Sequence, residues 1–225
     1  MNENGEIHYW YFAAMLFYPY GDRGAMYCAF GGMEPTLLCG DRLWINKLAY
    51  GGRFPSRWAD IPLLNVFTWI RPLRLADEEN HWEYRRLPGY SEPKQGDIAV
   101  FNSPVDPQLL LVKRITRVVK KGEPLRIDRR TLLLYRSLIL RDGGKVMEKD
   151  GKIYIDGKSS SQYIPKQRFY YMEGDNRMNS HDSRSFGFIS EEAIIGKFDF
   201  VLFSIDSQKQ WWKAIRLRRM MMRFP

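Results

Sequence analysis

The chain alternates between short apolar stretches and clusters of turn residues over most of its length. Beyond residue 24, the stretches at 42–50, 96–104, 109–119, 168–176 and 193–205 have the length and composition of β-strands. A hairpin is predicted at 151–158, because its Asp-Gly pair favours a tight primed turn between two strands. No amphipathic helical pattern intervenes between these strands. The sequence therefore predicts a mostly β fold with an antiparallel sheet as its core.

Two further segments are apolar without resembling strands of this sheet. Residues 9–20 form an apolar run of 12 residues, whereas crossing a bilayer takes about 20 apolar residues. The run lacks the basic start and the cleavage site of a secretory signal, so it is either an interfacial or docking helix or the exit end of a membrane helix. The tail, 206–225, contains paired Trp residues, clustered Arg residues and three consecutive Met residues. If helical, it is typical of a membrane-surface helix, and we favour this interpretation over packing on its own domain.

Composition narrows the classes of protein and of partner. The 225 residues are 44% hydrophobic, which is enough for one sizeable domain or for a core with an inserted subdomain. The net charge of +9 favours an anionic partner, but no nucleic-acid-binding motif is recognisable, so nucleic acid is not predicted. Cys28 and Cys39 are too few for a disulfide scaffold, and whether they pair is left open. The three His residues lie far apart, so neither a metal site nor a cofactor is predicted.

Three separated blocks of turn and polar residues carry the strongest functional signal. The first, at 33–51, contains Met-Glu-Pro-Thr-Leu, Gly-Asp and Asn-Lys-Leu-Ala-Tyr-Gly. The second, at 96–114, contains Gly-Asp-Ile-Ala-Val-Phe and Val-Lys-Arg, and the third, at 174–188, contains Gly-Asp-Asn-Arg, Asn-Ser, Asp-Ser-Arg and Gly-Phe. In order and spacing they resemble the bacterial type I signal peptidases, which are membrane-bound Ser/Lys endopeptidases that remove signal peptides. The resemblance extends from Phe17 to about Ile205.

The resemblance assigns roles to residues of the second and third blocks. Lys113 matches the general base, and four apolar residues precede it, so burial is expected to lower its pKa. Ser180 matches the residue that orients this lysine. The remaining assigned positions are a structural loop, Asp175, Asn176, Arg177, Asp182 and Arg184, and the substrate-binding residues Met33 and Pro35.

One departure from the family pattern affects the predicted activity. Active members carry Pro-Ser-x-Ser-Met before the Pro-Thr turn, and the serine next to Met is the nucleophile. In this chain Gly32 occupies the nucleophile position, Phe30 the position of the oxyanion-binding serine and Ala29 the position of the proline. Because glycine has no oxygen that Lys113 could activate, we predict an inactive homologue that binds precursors or regulates secretion. The alternative is an active signal peptidase that uses Lys113 and an unrecognised nucleophile.

The resemblance also divides the chain and locates it. It predicts an apolar membrane-proximal segment at 1–24, a signal peptidase-like β core at 25–119 and 168–205, an irregular insertion within it at 52–93, an inserted smaller β subdomain at 120–167 and a basic aromatic membrane-proximal tail at 206–225. The expected partners are secretory precursor signal peptides and a membrane lipid surface, and an active signal peptidase is left open as a further one. The expected location is the cytoplasmic membrane, with the bulk of the chain on the outer, periplasmic face.

Overall fold

An antiparallel sheet of six strands forms the core of the protein. The computed structural model describes residues 30–52, 86–107, 109–149, 151–206, 208–210 and 214–224. The strands of the core sheet are β1 Asp41–Asn46, β2 Ile98–Asn102, β3 Leu110–Val119, β9 Phe169–Glu173, β10 Ile189–Ser190 and β11 Ile194–Ser204. They lie in the order β1-β11-β2-β3-β9-β10, and every neighbouring pair is antiparallel. The predicted fold class is confirmed, although β1 ends earlier than the stretch predicted at 42–50.

Strand β2, at the centre of the sheet, is apolar on both faces, which is why its sequence shows little alternation. Along β2, Ala99 and Phe101 join one buried cluster, and Ile98 and Val100 join another. Full burial of a side chain of this size contributes about 1.5–3 kcal/mol relative to exposure. The centre of the sheet is therefore a rigid platform, and any polar side chain placed there is held in a fixed position.

The segment between β3 and β9 contains two small sheets and a helix. Strands β4 Leu125–Arg126 and β8 Gln162–Tyr163 form one pair, and β5 Val146–Lys149, β6 Lys152–Ile155 and β7 Lys158–Ser159 form a three-stranded sheet. The turn between β6 and β7 confirms the predicted Asp-Gly hairpin. Its residues Asp156 and Gly157 both have positive φ, 52° and 79°, as a primed turn requires.

Helix α1, Arg129–Arg141, was not predicted from the sequence. Its N-terminus is closed by a capping box, in which the Asp128 side chain accepts from the Thr131 backbone while the Thr131 hydroxyl accepts from the Asp128 backbone. The buried inner face of the helix consists of Leu132, Leu138 and Ile139. The leucine-rich sequence places apolar residues on the outer face as well, and these obscure the helical period that would otherwise have been visible.

The described part of the C-terminal tail packs against the core sheet. Residues 214–224 contain one short 3₁₀ turn, Leu217–Arg219. The backbone of Val201 on β11 accepts from and donates to this segment at 2.7 and 2.9 Å, and Phe224 stacks on Phe198. Several apolar side chains of the segment remain exposed, so contact with a membrane surface stays a prediction.

Some predicted segments cannot be compared with the structure. The N-terminal segment 1–24, Cys28 and most of the insertion 52–93 lie outside the described residues. Cys39 is exposed. Within the described ranges, no helix combines the length and the apolar character needed to cross a bilayer.

Candidate active site

Lys113 lies in the middle of β3, at the centre of the core sheet. Its backbone pairs with Ala99 of β2, and its side chain is 1% exposed. The amine Nζ donates a hydrogen bond to Ser180 Oγ at 2.9 Å. The burial expected for this lysine and its proximity to Ser180 are therefore both present in the fold.

A buried carboxylate, Asp182, lies two positions after Ser180. It accepts from the backbone N–H of Gly174 at 3.1 Å and from Arg184 Nη2 at 2.8 Å. Burial alone would raise the pKa of Asp182, but the hydrogen bonds from Arg184, Gly174 and Ser180 outweigh it and hold the pKa well below its usual range. Asp182 therefore stays ionised and anchors the loop that carries Ser180 through Gly174 and Arg184.

Gly32 faces the same amine next to Ser180. It belongs to the 3₁₀ turn Phe30–Met33, and its carbonyl accepts from the backbone N–H of Asn176 at 3.1 Å. A Cβ atom built on Gly32 would lie 2.4 Å from Lys113 Nζ and 3.3 Å from Ser180 Oγ. The amine thus occupies the space that a side chain at position 32 would need.

Two more glycines allow the turn and the loop to approach this closely. A Cβ on Gly31 would lie 2.5 Å from Asn179 Nδ2, and one on Gly174 would lie 2.2 Å from both the Gly32 carbonyl oxygen and Ser180 Oγ. Real Cβ contacts are almost never shorter than 3.0 Å. The close packing of the two segments therefore depends on bare backbone at these positions.

A second carboxylate ties β3, the loop and the Pro-Thr turn together. Arg114, the neighbour of Lys113, donates to both oxygens of Asp175 at 2.9 Å and to the Gly96 carbonyl at 3.0 Å. The Thr36 hydroxyl donates to Asp175 at 2.6 Å. Burial acts to raise the pKa of Asp175, but the hydrogen bonds from Arg114 and Thr36 lower it below its usual range. The three segments that meet at the amine are thus held by one charged group.

The other predicted site residues lie around this centre in different settings. Met33 is buried in the apolar core, whereas Pro35 is exposed. Arg177 is exposed, with its guanidinium 3.8 Å from the Glu173 carboxylate. The side chain of Phe30 lies outside what the structure describes. The roles assigned to these four residues stay predictions.

Sequence reasoning did not assign roles to Arg114, Thr36 and Asn179, which the structure places at the site. All three lie within the three motif blocks, so the blocks were a sufficient signal for their importance. Sequence order does not tell which motif residues meet, because Thr36 and Asp175 are 139 positions apart. Only the folded sheet brings them together.

The amine of Lys113 faces a hydroxyl on Ser180 and bare backbone at Gly32. The amine of Lys113 is buried and oriented. Gly32, which faces it, offers only backbone atoms. Among the described residues, no group of three or more His, Cys, Asp or Glu side chains could hold a metal ion.

Comparison with known proteins identifies the family. A profile described as "Signal peptidase, peptidase S26" matches residues 12–203. The chain belongs to this family. Signal peptidase I of Buchnera aphidicola subsp. Schizaphis graminum (strain Sg) is 26% identical over 225 residues, covering 84% of this chain and 71% of the relative. Signal peptidase I T of Bacillus subtilis (strain 168) is 31% identical over 141 residues, covering 60% of this chain and 70% of the relative.

A solved structure is also similar to this signal peptidase family member. The crystal structure of a signal peptidase I from Enterococcus faecalis V583 aligns with 48% of this chain and 97% of that chain, at 23% identity and a TM-score of 0.25. The resemblance stated from the motif blocks is confirmed by the family match, which spans all three blocks.

Proposed function

We propose that this signal peptidase family member binds signal peptides of secretory precursors without cleaving them. The observation that carries the proposal is the contact between Gly32 and Lys113. A Cβ atom at residue 32 would lie 2.4 Å from the amine, but glycine carries no hydroxyl or thiol there. The relatives named above are signal peptidases I, which supports signal peptides as the ligand class.

The chemical argument follows from what a Ser/Lys mechanism requires. A nucleophile has to lie within hydrogen-bond reach of its base, and the base has to accept its proton. The amine of Lys113 lies 2.9 Å from the Ser180 hydroxyl, while residue 32, at the nucleophile position of the family, carries no side chain that could give up a proton. Loss of a nucleophile in other serine-dependent triads leaves only the residual rate of binding and oxyanion stabilisation.

Binding of an extended peptide is compatible with the edge of the core sheet. Strand β1 pairs with β11 and has no second neighbour in the sheet among the described residues. An unpaired strand edge offers backbone donors and acceptors for strand addition. A groove shaped for small side chains at the former cleavage position is what family membership implies, and Gly32 leaves a bound segment uncut.

The proposed setting is the outer, periplasmic face of the cytoplasmic membrane. Secretory precursors emerge there, and the net charge of +9 favours an acidic lipid surface. In this setting the chain acts as a precursor-binding or regulatory homologue, and an active signal peptidase is a candidate partner.

The test uses a purified secretory precursor that carries an Ala-x-Ala cleavage site. We expect saturable binding by the wild-type protein and no product after prolonged incubation, as followed by electrophoresis and mass spectrometry. A precursor with Lys in place of both Ala residues is the matched ligand control, and it should bind more weakly. Turnover that disappears in Lys113→Ala would refute the proposal.

A second candidate function is favoured by one specific distance. Ser180 Oγ lies 2.9 Å from Lys113 Nζ, which is the separation expected between a nucleophile and its base. The alternative of an active peptidase with an unrecognised nucleophile therefore has one concrete form, with Ser180 as the attacking hydroxyl. This form requires the Ser180 proton to pass to a neutral Lys113.

The two functions make opposite predictions for Ser180→Ala. If Ser180 only orients the lysine in an inactive protein, the variant binds the precursor within about 2-fold of the wild-type affinity. Neither protein then shows any cleavage. If Ser180 is the nucleophile, wild-type cleavage is measurable and the variant abolishes it. Ser185→Ala is a suitable control, because Ser185 is an exposed serine of the same loop region.

A further inference from the structure

A cleft on the far end of β3 collects positive charge. It has a volume of about 510 Å³ and lies between residues 92–95, the end of β3 with the residues after it at 118–121, and Arg168 at the start of β9. Lys94, Lys120 and Lys121 line it and are exposed. The cleft is therefore a basic recess on the surface of the core.

The charges of the cleft do not cancel. Its single lining carboxylate, Glu92, is 2.5 Å from Arg168, and Glu191 lies 3.9 Å from the same guanidinium. Within the described residues, the ammonium groups of the three lysines have no ion pair. One further carboxylate, Glu123, follows two positions after Lys121 and is exposed. Three positive charges thus face the cleft without a fixed partner.

The backbone that carries these lysines is held in place. The Lys94 N–H donates to the buried Asp97 carboxylate at 3.2 Å, and the Gly96 N–H donates to the Ile115 carbonyl of β3 at 2.8 Å. On the other wall, the Gly122 N–H donates to the Pro165 carbonyl at 2.9 Å. The ion pair between Glu92 and Arg168 joins the two walls. The three ammonium groups therefore start from fixed Cα positions, which reduces the entropy lost when they converge on one anion.

The cleft is separate from the site at Lys113. Val118 follows Lys113 by five positions along β3, which corresponds to about 17 Å at 3.3 Å per strand residue. None of the residues that line the cleft supplies one of the three atoms nearest to a Cβ built on Gly32. Peptide binding at the amine and anion binding in the cleft can therefore occur together.

We infer that this cleft is a binding site for a phosphate-bearing anion, which Lys94, Lys120 and Lys121 hold jointly. Ammonium groups bind phosphate oxygens as compact point charges, and Val118 with buried Pro93 gives the floor an apolar portion. The shared chemistry is that of a phosphate or phosphodiester, which either free phosphate or the headgroup of an acidic lipid supplies.

The test compares two ligands on the full chain. In one arm, inorganic phosphate is titrated while the backbone amide NMR shifts of residues 92–96 and 118–122 are followed. In the other arm, flotation measures binding to vesicles of phosphatidylglycerol and phosphatidylcholine, with vesicles of phosphatidylcholine alone as the uncharged reference. The test variant is the triple substitution Lys94→Gln, Lys120→Gln and Lys121→Gln.

A matched control removes the same charge elsewhere. The triple substitution Lys145→Gln, Lys149→Gln and Lys158→Gln changes three exposed lysines of the segment between β3 and β9. We expect the cleft variant to bind at least 5-fold more weakly in one arm or both, and the control variant to stay within 2-fold of wild type. Loss in the vesicle arm alone identifies a lipid headgroup as the source, and loss in both arms identifies phosphate itself as sufficient.

Two results would overturn the inference. Absence of binding by the wild-type protein in both arms would show that the cleft is not an anion-binding site. An equal loss of binding in the cleft and control variants shows that the anion responds only to the net charge of the protein, through a general and salt-screened surface field. Far-UV circular dichroism and the melting temperature establish that both variants are folded before either result is interpreted.

Discussion

Adding a single methyl group at Gly32 probes the contact on which the account depends. A Cβ at this position would lie 2.4 Å from Lys113 Nζ, whereas an ordinary contact begins at 3.4 Å. The amine therefore has to retreat by about 1 Å, the difference between these two distances. Retreat is restricted, because Lys113 is 1% exposed and donates to Ser180.

The expected cost of Gly32→Ala follows from two opposing effects. Overfilling a packed site costs about 1–3 kcal/mol, while replacing glycine gains about 0.4–1 kcal/mol by restricting the unfolded chain. The net expectation is a loss of about 1–2 kcal/mol in the free energy of unfolding. At about 2–4 °C per kcal/mol for a chain of this size, the melting temperature falls by about 2–8 °C.

The same substitution is expected to be harmless once the amine is removed. In a Lys113→Ala background the colliding atom is absent, so Gly32→Ala should be neutral or stabilising by up to about 1 kcal/mol. Urea denaturation of the four proteins of this cycle then yields a coupling energy of about 1–3 kcal/mol between the two positions. Gly52→Ala is the control, because a Cβ there meets no atom of the described chain within 4 Å. A coupling energy below about 0.5 kcal/mol, which is the error of additivity, would refute the proposed contact.

Three further predictions concern the surroundings of the site. Arg219→Ala removes the guanidinium that donates to the buried Asp41 carboxylate at 2.6 Å, and we expect a loss of about 3 kcal/mol in urea denaturation; a loss below about 1 kcal/mol contradicts this. Because the pKa of Asp182 is lowered in the fold, its ionised form stabilises the protein above pH about 4, and this stability is lost as the pH falls. Asp182→Asn should therefore lose less stability between pH 4 and pH 2 than wild type. Equal slopes of the free energy of unfolding against pH in the two proteins would count against this prediction. Gly32→Ser combined with Phe30→Ser should gain precursor cleavage that depends on Lys113, and a folded double variant without any activity would show that the base is no longer placed for catalysis.

Much of the core could be predicted from sequence because its strands are bounded by strong local signals. The Gly-Asp turn before β2, the apolar run of β3 and the Asp-Gly hairpin each specify a local conformation without reference to distant residues. The path of the tail along β11 could not be predicted in the same way. Its position depends on Arg219, which binds Asp41 from 178 positions away, and no local pattern encodes that pairing.

The site shows the same division between local signals and distant contacts. Lys113 could be proposed from its apolar neighbours together with the family resemblance, and Ser180 from its place in a motif block. The role of Arg114 could not, because a basic residue on a strand usually extends into solvent, and its bidentate contact with Asp175 arises only when β3 and β9 pair. The family resemblance alone implied that Gly32 lies close to the amine, and only the folded structure provides the distance between them.

Covalent trapping tests the central claim most directly. Wild-type protein and the variant Gly32→Ser with Phe30→Ser are incubated with an excess of an acylating peptide ester that ends in Ala-x-Ala, and intact-mass spectrometry with peptide mapping follows. The account predicts no adduct on the wild-type chain and an acyl group on the introduced side chain at position 32 of the variant. A stoichiometric acyl adduct on the wild-type chain that is lost in Lys113→Ala would contradict the account.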